Sequence, residues 1–197
     1  NFATSATKAT QDASGNVITT TYETKADATA KLTDVQTQLD EKMSSTNPVG
    51  TGSFSMNRKS DTTVGSYSST LGSDNEASGE ASHAEGRETQ ATNDAAHAEG
   101  YRTEAQGKMS HAEGEEAIAV GQAAHAEGYK THAQGQASHA EGTSTLATGA
   151  HSHAEGYETK ATGSASHASG IRTEATGNAQ TVIGRDNVVD SNKVFII

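Results

Sequence analysis

Residues 138–156 read "SHAEGTSTLATGAHSHAEG", so the pentapeptide "SHAEG" returns after fourteen residues. Glycine keeps half of this period from Gly65 to Gly184, with Asn93 as the one substitute, and from Gly72 to Gly170 an alanine follows five residues after each of these positions. Histidine keeps the full period without a slip at His83, His97, His111, His125, His139, His153 and His167. A fixed period carried through this many copies predicts a solenoid of stacked repeats.

A seven-residue period could also indicate a coiled coil, but a coiled coil needs Leu, Ile or Val at two positions of each heptad. The regular positions here are Ala and Gly, and a glycine inside a helix costs about 1 kcal/mol relative to alanine. The alternation of small and polar residues instead fits β-strands, whose side chains point to opposite faces in turn. In "SHAE" (82–85), Ser82 and Ala84 would point inward, and His83 and Glu85 outward.

We therefore predict an all-β solenoid in which each 14-residue coil contributes two strands and successive coils stack about 4.8 Å apart. The interior would consist of Ala, Ser and Thr, and residues such as Gly86 and Asn93 would lie at the corners, where a positive φ is most easily reached by these residue types. Such an interior buries little apolar area, so we expect the roll to need a partner surface.

The composition argues against several functional classes. Only 31% of the 197 residues are apolar and 4% are aromatic, which is too little for an ordinary globular core. The formal net charge of −11 argues against a nucleic-acid partner, which requires clustered Lys and Arg. The chain has no cysteine for disulfides or thiolate metal sites. Because no apolar run approaches the roughly 20 residues of a membrane span, we expect no membrane insertion.

The repeat GxxSxAxGxxTxAxG resembles the head repeat of the trimeric autotransporter adhesins, the YadA-like left-handed parallel β-roll. The resemblance extends from "VGSYSSTLG" (64–72) to "AQTVIG" (179–184). It is closer still to the histidine-bearing form in phage and prophage tail proteins, whose lead-in and exit strand resemble "GTGSFSMNRKSDTTVGSYS" (50–68) and "NKVFII" (192–197). This chain differs from the adhesin pattern in having His and Glu in place of outward Val and Ile. The resemblance implies a homotrimeric, left-handed parallel β-roll.

The N-terminal third also resembles a tail-fibre segment. The stretch "GNVITTTYETKADATAKLTDVQTQLDEK" (15–42) is similar to the linker and short coiled coil of such fibres. Independently of that resemblance, the 4-3-4 spacing of its apolar residues predicts a coiled-coil seam of Ala28, Leu32, Val35 and Leu39. Two or three heptads are too short to be stable alone, but they could clamp the base of a trimeric roll.

These segments predict a five-part organisation of the chain. It comprises an N-terminal linker at 1–21, a short trimeric coiled coil at 22–46, a transition segment at 47–64, the YadA-like β-roll at 65–185 and an exit strand at 186–197.

The outward residues of the first strand are nearly the same in every coil, whereas those of the second strand vary freely. Solvent does not impose such uniformity, but a symmetry-related subunit would. We therefore predict a ladder at the trimer axis, in which imidazoles donate hydrogen bonds to carboxylates of neighbouring chains and the carboxylates raise the histidine pKa values. The predicted ladder comprises His83, Glu85, His97, Glu99, His111, Glu113, His125, Glu127, His139, Glu141, His153, Glu155 and His167.

A metal site and a catalytic site are the alternative readings of this ladder. Three symmetry-related imidazoles could ligate a transition metal, but dications in adjacent layers about 4.8 Å apart would repel, so at most an occasional layer could be filled. Catalysis needs one distinctive place, and this chain offers many identical ones. We therefore expect no enzymatic activity, no catalytic residues, no functional metal and no cofactor.

Three tyrosines occupy the same corner of every second coil. They are Tyr101, Tyr129 and Tyr157, and Arg102 and Lys130 directly follow the first two. Evenly spaced aromatics could stack on the sugar rings of a cell-surface glycan, although such tyrosines more often cover a turn or pack against the next subunit.

The sequence therefore predicts a non-enzymatic, homotrimeric segment of a phage tail fibre or tail spike that acts in host-surface attachment. Its location would be the virion tail, and its partners would be its own copies, a host receptor such as a polysaccharide, and other tail or baseplate proteins. The alternative is the head domain of a bacterial trimeric autotransporter-type adhesin on the cell surface. A third class, an enzyme whose catalytic domain lies outside these residues, also stays open.

Overall fold

A computed structural model describes residues 29–37, 52–55, 58–187, 190 and 192–197. The chain divides into two units, 1–42 and 43–197. The first contains helix α1 at 29–37, on which Leu32 and Val35 lie three residues apart and are 70% and 60% exposed. Ala28 and Leu39, the other two seam positions, lie outside the described residues, so the coiled coil stays a prediction. Within the described ranges, no helix has the length and apolar character needed to cross a membrane.

The second unit is a parallel β-solenoid of 14-residue coils with two strands per coil, as the repeat predicts. In the part of the chain that the structure describes, the larger sheet has eleven strands, and successive five-residue strands pair in register, so that His125 lies between His111 and His139. Its strands are β1 (Phe54–Ser55), β2 (Ser69–Ser73), β4 (His83–Arg87), β6 (His97–Tyr101), β8 (His111–Glu115), β10 (His125–Tyr129), β12 (His139–Thr143), β14 (His153–Tyr157), β16 (His167–Ile171), β18 (Thr181–Arg185) and β19 (Phe195–Ile196).

The smaller sheet contains eight two-residue strands among the described residues and is also parallel. These strands are β3 (Glu76–Ala77), β5 (Gln90–Ala91), β7 (Glu104–Ala105), β9 (Ile118–Ala119), β11 (His132–Ala133), β13 (Leu146–Ala147), β15 (Lys160–Ala161) and β17 (Glu174–Ala175). Over the described residues, the larger sheet extends beyond the smaller one at both ends: β1 pairs with β2 and β18 pairs with β19, whereas the smaller sheet runs from β3 to β17. β1 lies in the predicted transition segment and β19 in the predicted exit strand.

The interior between the two sheets consists of small side chains, as predicted. The inward alanines of both sheets are buried, from Ala77 to Ala175, and the Ser and Thr residues that precede the strands are buried with them. Buried serines such as Ser82 donate a hydrogen bond to the carbonyl of the glycine three residues earlier, here Gly79, at 2.7 Å. Three larger residues interrupt this pattern near the ends of the roll: Asn75, Gln180 and Val182.

The corners match the prediction only in part. Alternate glycines, such as Gly86 with a φ of 116°, have the predicted positive φ, but Asn93 does not. Non-glycine residues at every seventh position from Tyr67 to Asp186 have φ between 50° and 60°. The backbone holds them there because their N–H groups bond to the previous coil, as Ala95 does to the carbonyl of Glu80 at 2.7 Å. The glycines serve close packing as well. If a Cβ were added to Gly128 (φ 110°), it would overlap the carbonyl oxygen of Gly142 in the next coil.

Candidate functional site

The seven repeated histidines form one continuous stack on the outer face of the larger sheet, which we call the histidine column. Each is the first residue of a strand from β4 to β16, so in-register parallel pairing places it directly beside its equivalents. From His97 to His167, successive ring centroids are 4.6–5.0 Å apart and the rings are within 15° of parallel. His83 is tilted by 66° against His97, and its Nδ1 lies within hydrogen-bond distance of the Ser69 hydroxyl.

Glutamates lie beside the column, two residues after most of its histidines. The distance from Nε2 to the carboxylate oxygen of the same coil is 3.3 Å for His83–Glu85, 3.5 Å for His111–Glu113, 3.7 Å for His139–Glu141 and 3.9 Å for His97–Glu99. In the coil of His167, Ser169 replaces the glutamate, and Glu155 of the preceding coil lies 3.5 Å from His167 Nε2. Most of these separations are longer than a good hydrogen bond.

One ring nitrogen, Nε2, is shielded from solvent in most histidines of the column. Nε2 of six histidines, from His97 to His167, is buried and makes no hydrogen bond within the described part of the chain. The side chains of His97, His111 and His139 as a whole are still 34–39% exposed. A buried polar nitrogen without a partner is costly, so this face carries unused hydrogen-bonding and ligating capacity.

Burial lowers the pKa of His97, His111 and His139, and the neighbouring histidines lower it further. The glutamates act in the opposite direction without overcoming burial. In the single chain, burial therefore outweighs the glutamates at these three residues. The predicted pairing with carboxylates of neighbouring chains involves contacts that a single chain does not contain, so it stays a prediction. The pKa of Glu155 is also lowered, first by a hydrogen bond from Ser169 and then by nearby groups that include His153 and His167.

These pKa directions predict that the roll loses stability on acidification. The folded pKa of the three histidines lies below the unfolded value of about 6.5, so their contribution is full above that pH and is lost as the pH falls through the folded pKa. Glu155 contributes in the same direction, because its stabilisation is present above its unfolded pKa and is lost as the pH falls through its lowered folded value. We expect the melting temperature to fall from about pH 8 to about pH 5 and further below it.

Thermal melts of the wild type and His111→Gln across this pH range check the prediction. The variant should show a shallower slope between about pH 8 and pH 5, because one of the three shifted histidines is gone. A wild-type stability maximum between about pH 5 and pH 6.5 would show that pairing with glutamate dominates after all.

The predicted tyrosine positions lie at the last residues of β6, β10 and β14. The guanidinium of Arg87 is 4.3 Å from the ring centroid of Tyr101, and that of Arg102 is 4.7 Å from it. Lys130 Nζ lies 5.0 Å from the ring of Tyr129. Tyr129 and Tyr157 are 40% and 44% exposed. The surface around these tyrosines therefore combines aromatic rings with cations. Its contact with a glycan stays a prediction.

Sequence reasoning missed a series of ion pairs along the corners. Their partners are fourteen residues apart and come from successive coils: Glu88–Arg102 at 2.7 Å, Asp94–Lys108 at 3.3 Å, Glu116–Lys130 at 3.6 Å and Arg172–Asp186. Opposite charges at a spacing of fourteen were the available signal. All of these side chains are more than a third exposed, so solvent and salt screen the pairs and each adds little to the stability of the roll.

The histidine column also brings together groups of metal-ligating atoms. Within the described ranges, four His–Glu–His sets each have ligand atoms within 4.8 Å of one another: His97/Glu99/His111, His111/Glu113/His125, His125/Glu127/His139 and His139/Glu141/His153. Each set takes its donors from two successive coils of one chain.

No protein-family model matches this chain, and no curated protein matches it significantly.

Proposed function

We propose that the chain is a non-enzymatic, homotrimeric fibre segment of a phage tail fibre or tail spike that acts in host-surface attachment. The observation that carries this proposal is the uniform, half-buried His/Glu face of the larger sheet. A face that repeats the same polar pair in coil after coil suits contact with identical copies of itself. The roll would be left-handed, as in the family that the repeat resembles.

The roll's construction supports a mechanical role. Each coil bonds to the next through both sheets, and the backbone N–H groups of successive corners bond to the coil before. An elongated scaffold of equivalent layers suits a shaft that holds a receptor-binding surface away from a particle. The smaller sheet would then face solvent and partners. Its outward residues vary between coils, as Ile118, His132 and Leu146 show.

The small interior supports a trimer. Its buried apolar side chains are alanines, with Val182 as the exception among the described residues, so each coil gains little from the hydrophobic effect. Docking three rolls along the His/Glu face would bury further area and place the shielded Nε2 atoms next to carboxylates of a neighbouring chain. The residues of this face are the predicted ladder from His83 to His167.

Cysteine cross-linking tests the trimer face, because the natural chain has no cysteine. Glu127 of β10 and Glu104 of β7 are both half-buried, outward glutamates, one on each sheet. With a short thiol-reactive cross-linker, we expect Glu127→Cys to give covalent dimers, since three equivalent thiols would meet near the axis. The matched control, Glu104→Cys, should stay uncross-linked on a denaturing gel.

Cross-linking of Glu104→Cys without cross-linking of Glu127→Cys, or equal cross-linking of the two variants, would show that the His/Glu face is not the subunit interface. Light scattering on the same samples gives the mass of the assembly and should correspond to three chains.

Immunogold labelling tests the attachment role. An antibody raised against this chain should decorate virion tails, and the antibody should reduce adsorption of the particles to host cells. Pre-immune serum is the control. If the antibody labels bacterial envelopes and leaves virions unlabelled, the result would favour the alternative, the head of a bacterial trimeric adhesin, and would overturn the phage assignment.

A further inference from the structure

Contrary to the expectation from the sequence that the column holds no functional metal, we propose that the histidine column binds divalent transition-metal ions, each held by a His–Glu–His set from two successive coils of one chain. The central set of this kind is His111, Glu113 and His125, whose ligand atoms lie within 4.8 Å of one another. All of the donors come from one chain, so the inference does not depend on the trimer.

The donors suit ions of the Zn²⁺, Co²⁺ and Ni²⁺ type. Imidazole nitrogen and carboxylate oxygen are common ligands of these ions, and the buried Nε2 atoms have no hydrogen-bond partner in the described part of the chain that an ion would have to displace. A ligating histidine must be neutral. Burial lowers the pKa of His97, His111 and His139, which keeps these rings in the ligating form at neutral pH.

Binding requires a small change in ring orientation. Rings stacked within 8° of parallel at 4.6–4.8 Å, such as those of His97, His111 and His125, direct their Nε2 lone pairs side by side. An ion about 2.0–2.1 Å from each nitrogen needs the two lone pairs to converge. The 66° angle between His83 and His97 shows that the column accommodates a tilted ring. In three of the four sets, the glutamate carboxylate already lies 3.5–3.9 Å from Nε2 of the histidine two residues before it, and it supplies the third donor.

The overlap between the sets fixes how many ions one chain can hold. Neighbouring sets share a histidine, and one Nε2 serves one ion, so adjacent sets cannot be filled together. The four sets therefore accommodate two ions per chain. Ions in the first and third sets are two layers apart, roughly 10 Å at about 4.8 Å per layer, and each has a glutamate that offsets part of its charge.

Equilibrium dialysis of untagged protein against Zn²⁺ at neutral pH, with the bound metal counted by mass spectrometry, tests this inference. We expect two ions per chain for the wild type. Phenylalanine keeps a ring in the stack but removes the donor. His111→Phe abolishes the first two sets and leaves two that share His139, so it should bind one ion.

His125→Phe is the matched control. It abolishes the two middle sets but leaves His97/Glu99/His111 and His139/Glu141/His153, which share no residue, and it should still bind two ions. Circular dichroism establishes that both variants retain the β-roll, and light scattering records their assembly state independently of metal content.

A wild type without bound Zn²⁺ would overturn the proposal, as would equal ion counts for the two folded variants. One ion per three chains would also overturn it, because the ion would then belong to a symmetry axis instead of a set within one chain. A wild type that binds two ions per chain but is not trimeric by light scattering would contradict the proposed function alone.

Discussion

Gly128→Ala is expected to destabilise the roll by roughly 2–6 kcal/mol per chain, the sum of two effects of about 1–3 kcal/mol each. The first is backbone strain, because Gly128 has a φ of 110°, a value that residues other than glycine rarely adopt. The second is a clash with the next coil. The new Cβ would overlap the carbonyl oxygen of Gly142 and lie 3.1 Å from its carbonyl carbon, and the in-register pairing of β10 with β12 prevents that backbone from moving away freely.

Gly184→Ala separates the two effects. Gly184 has the same place in its coil and a φ of 125°, but among the described residues a Cβ there would meet only the side chain of Asn187, 3.3 Å from its Oδ1. We expect it to cost only the strain of about 1–3 kcal/mol. Thermal and denaturant melts of both variants measure the difference. Equal losses would show that the clash is relieved at no cost and that φ alone fixes glycine at this position.

The sequence predicted the solenoid, the two faces of each strand and the composition of the interior. It could do so because a parallel, in-register stack places equivalent residues on top of one another, and a period of fourteen fixes which residues are equivalent. The spacing of His111, His125 and His139 was enough to predict that they would lie together. The same logic identified Ala84 and Ala126 as interior residues.

The backbone of the corners could not be predicted from residue type. Ala95 and Glu88 have a positive φ although neither residue type prefers it. Their N–H groups bond to the carbonyls of Glu80 and Ser73 in the previous coil, at 2.7 and 2.9 Å. These hydrogen bonds between coils override the local preference of about 1–2 kcal/mol against left-handed conformations. They cannot be inferred from the residue type at the corner alone.

The direction of the histidine pKa shifts depends on whether burial of the ring or the nearby glutamates has the larger effect, and the sequence alone does not show which one is larger. Burial of the ring lowers the pKa of His111, and the glutamates around it raise it. Which effect is larger depends on the distance from Nε2 to Glu113, which is 3.5 Å, and on the shielding of that nitrogen. A spacing of two residues between His and Glu fixes neither quantity.

Ala126→Leu is expected to cost about 1–3 kcal/mol or more per chain through overpacking. Ala126 is fully buried, and its neighbours in the same sheet are the equally buried Ala112 and Ala140. The opposing sheet also presents alanine in this region, at Ala119 and Ala133. Three additional carbon atoms must therefore separate the two sheets or force the leucine out of its preferred rotamers.

Val182→Leu is the control, because Val182 has the same register as Ala126 in the coil of β18 and is also fully buried. That position already holds a branched side chain, next to Ile196 of β19. In the described residues, the smaller sheet ends one strand earlier at β17, so the last coil is less confined. We expect the added methylene there to cost less than about 1.5 kcal/mol. Thermal melts compare the two variants, and full tolerance of leucine at 126 would mean that the two sheets separate more easily than their alanine-lined interior implies.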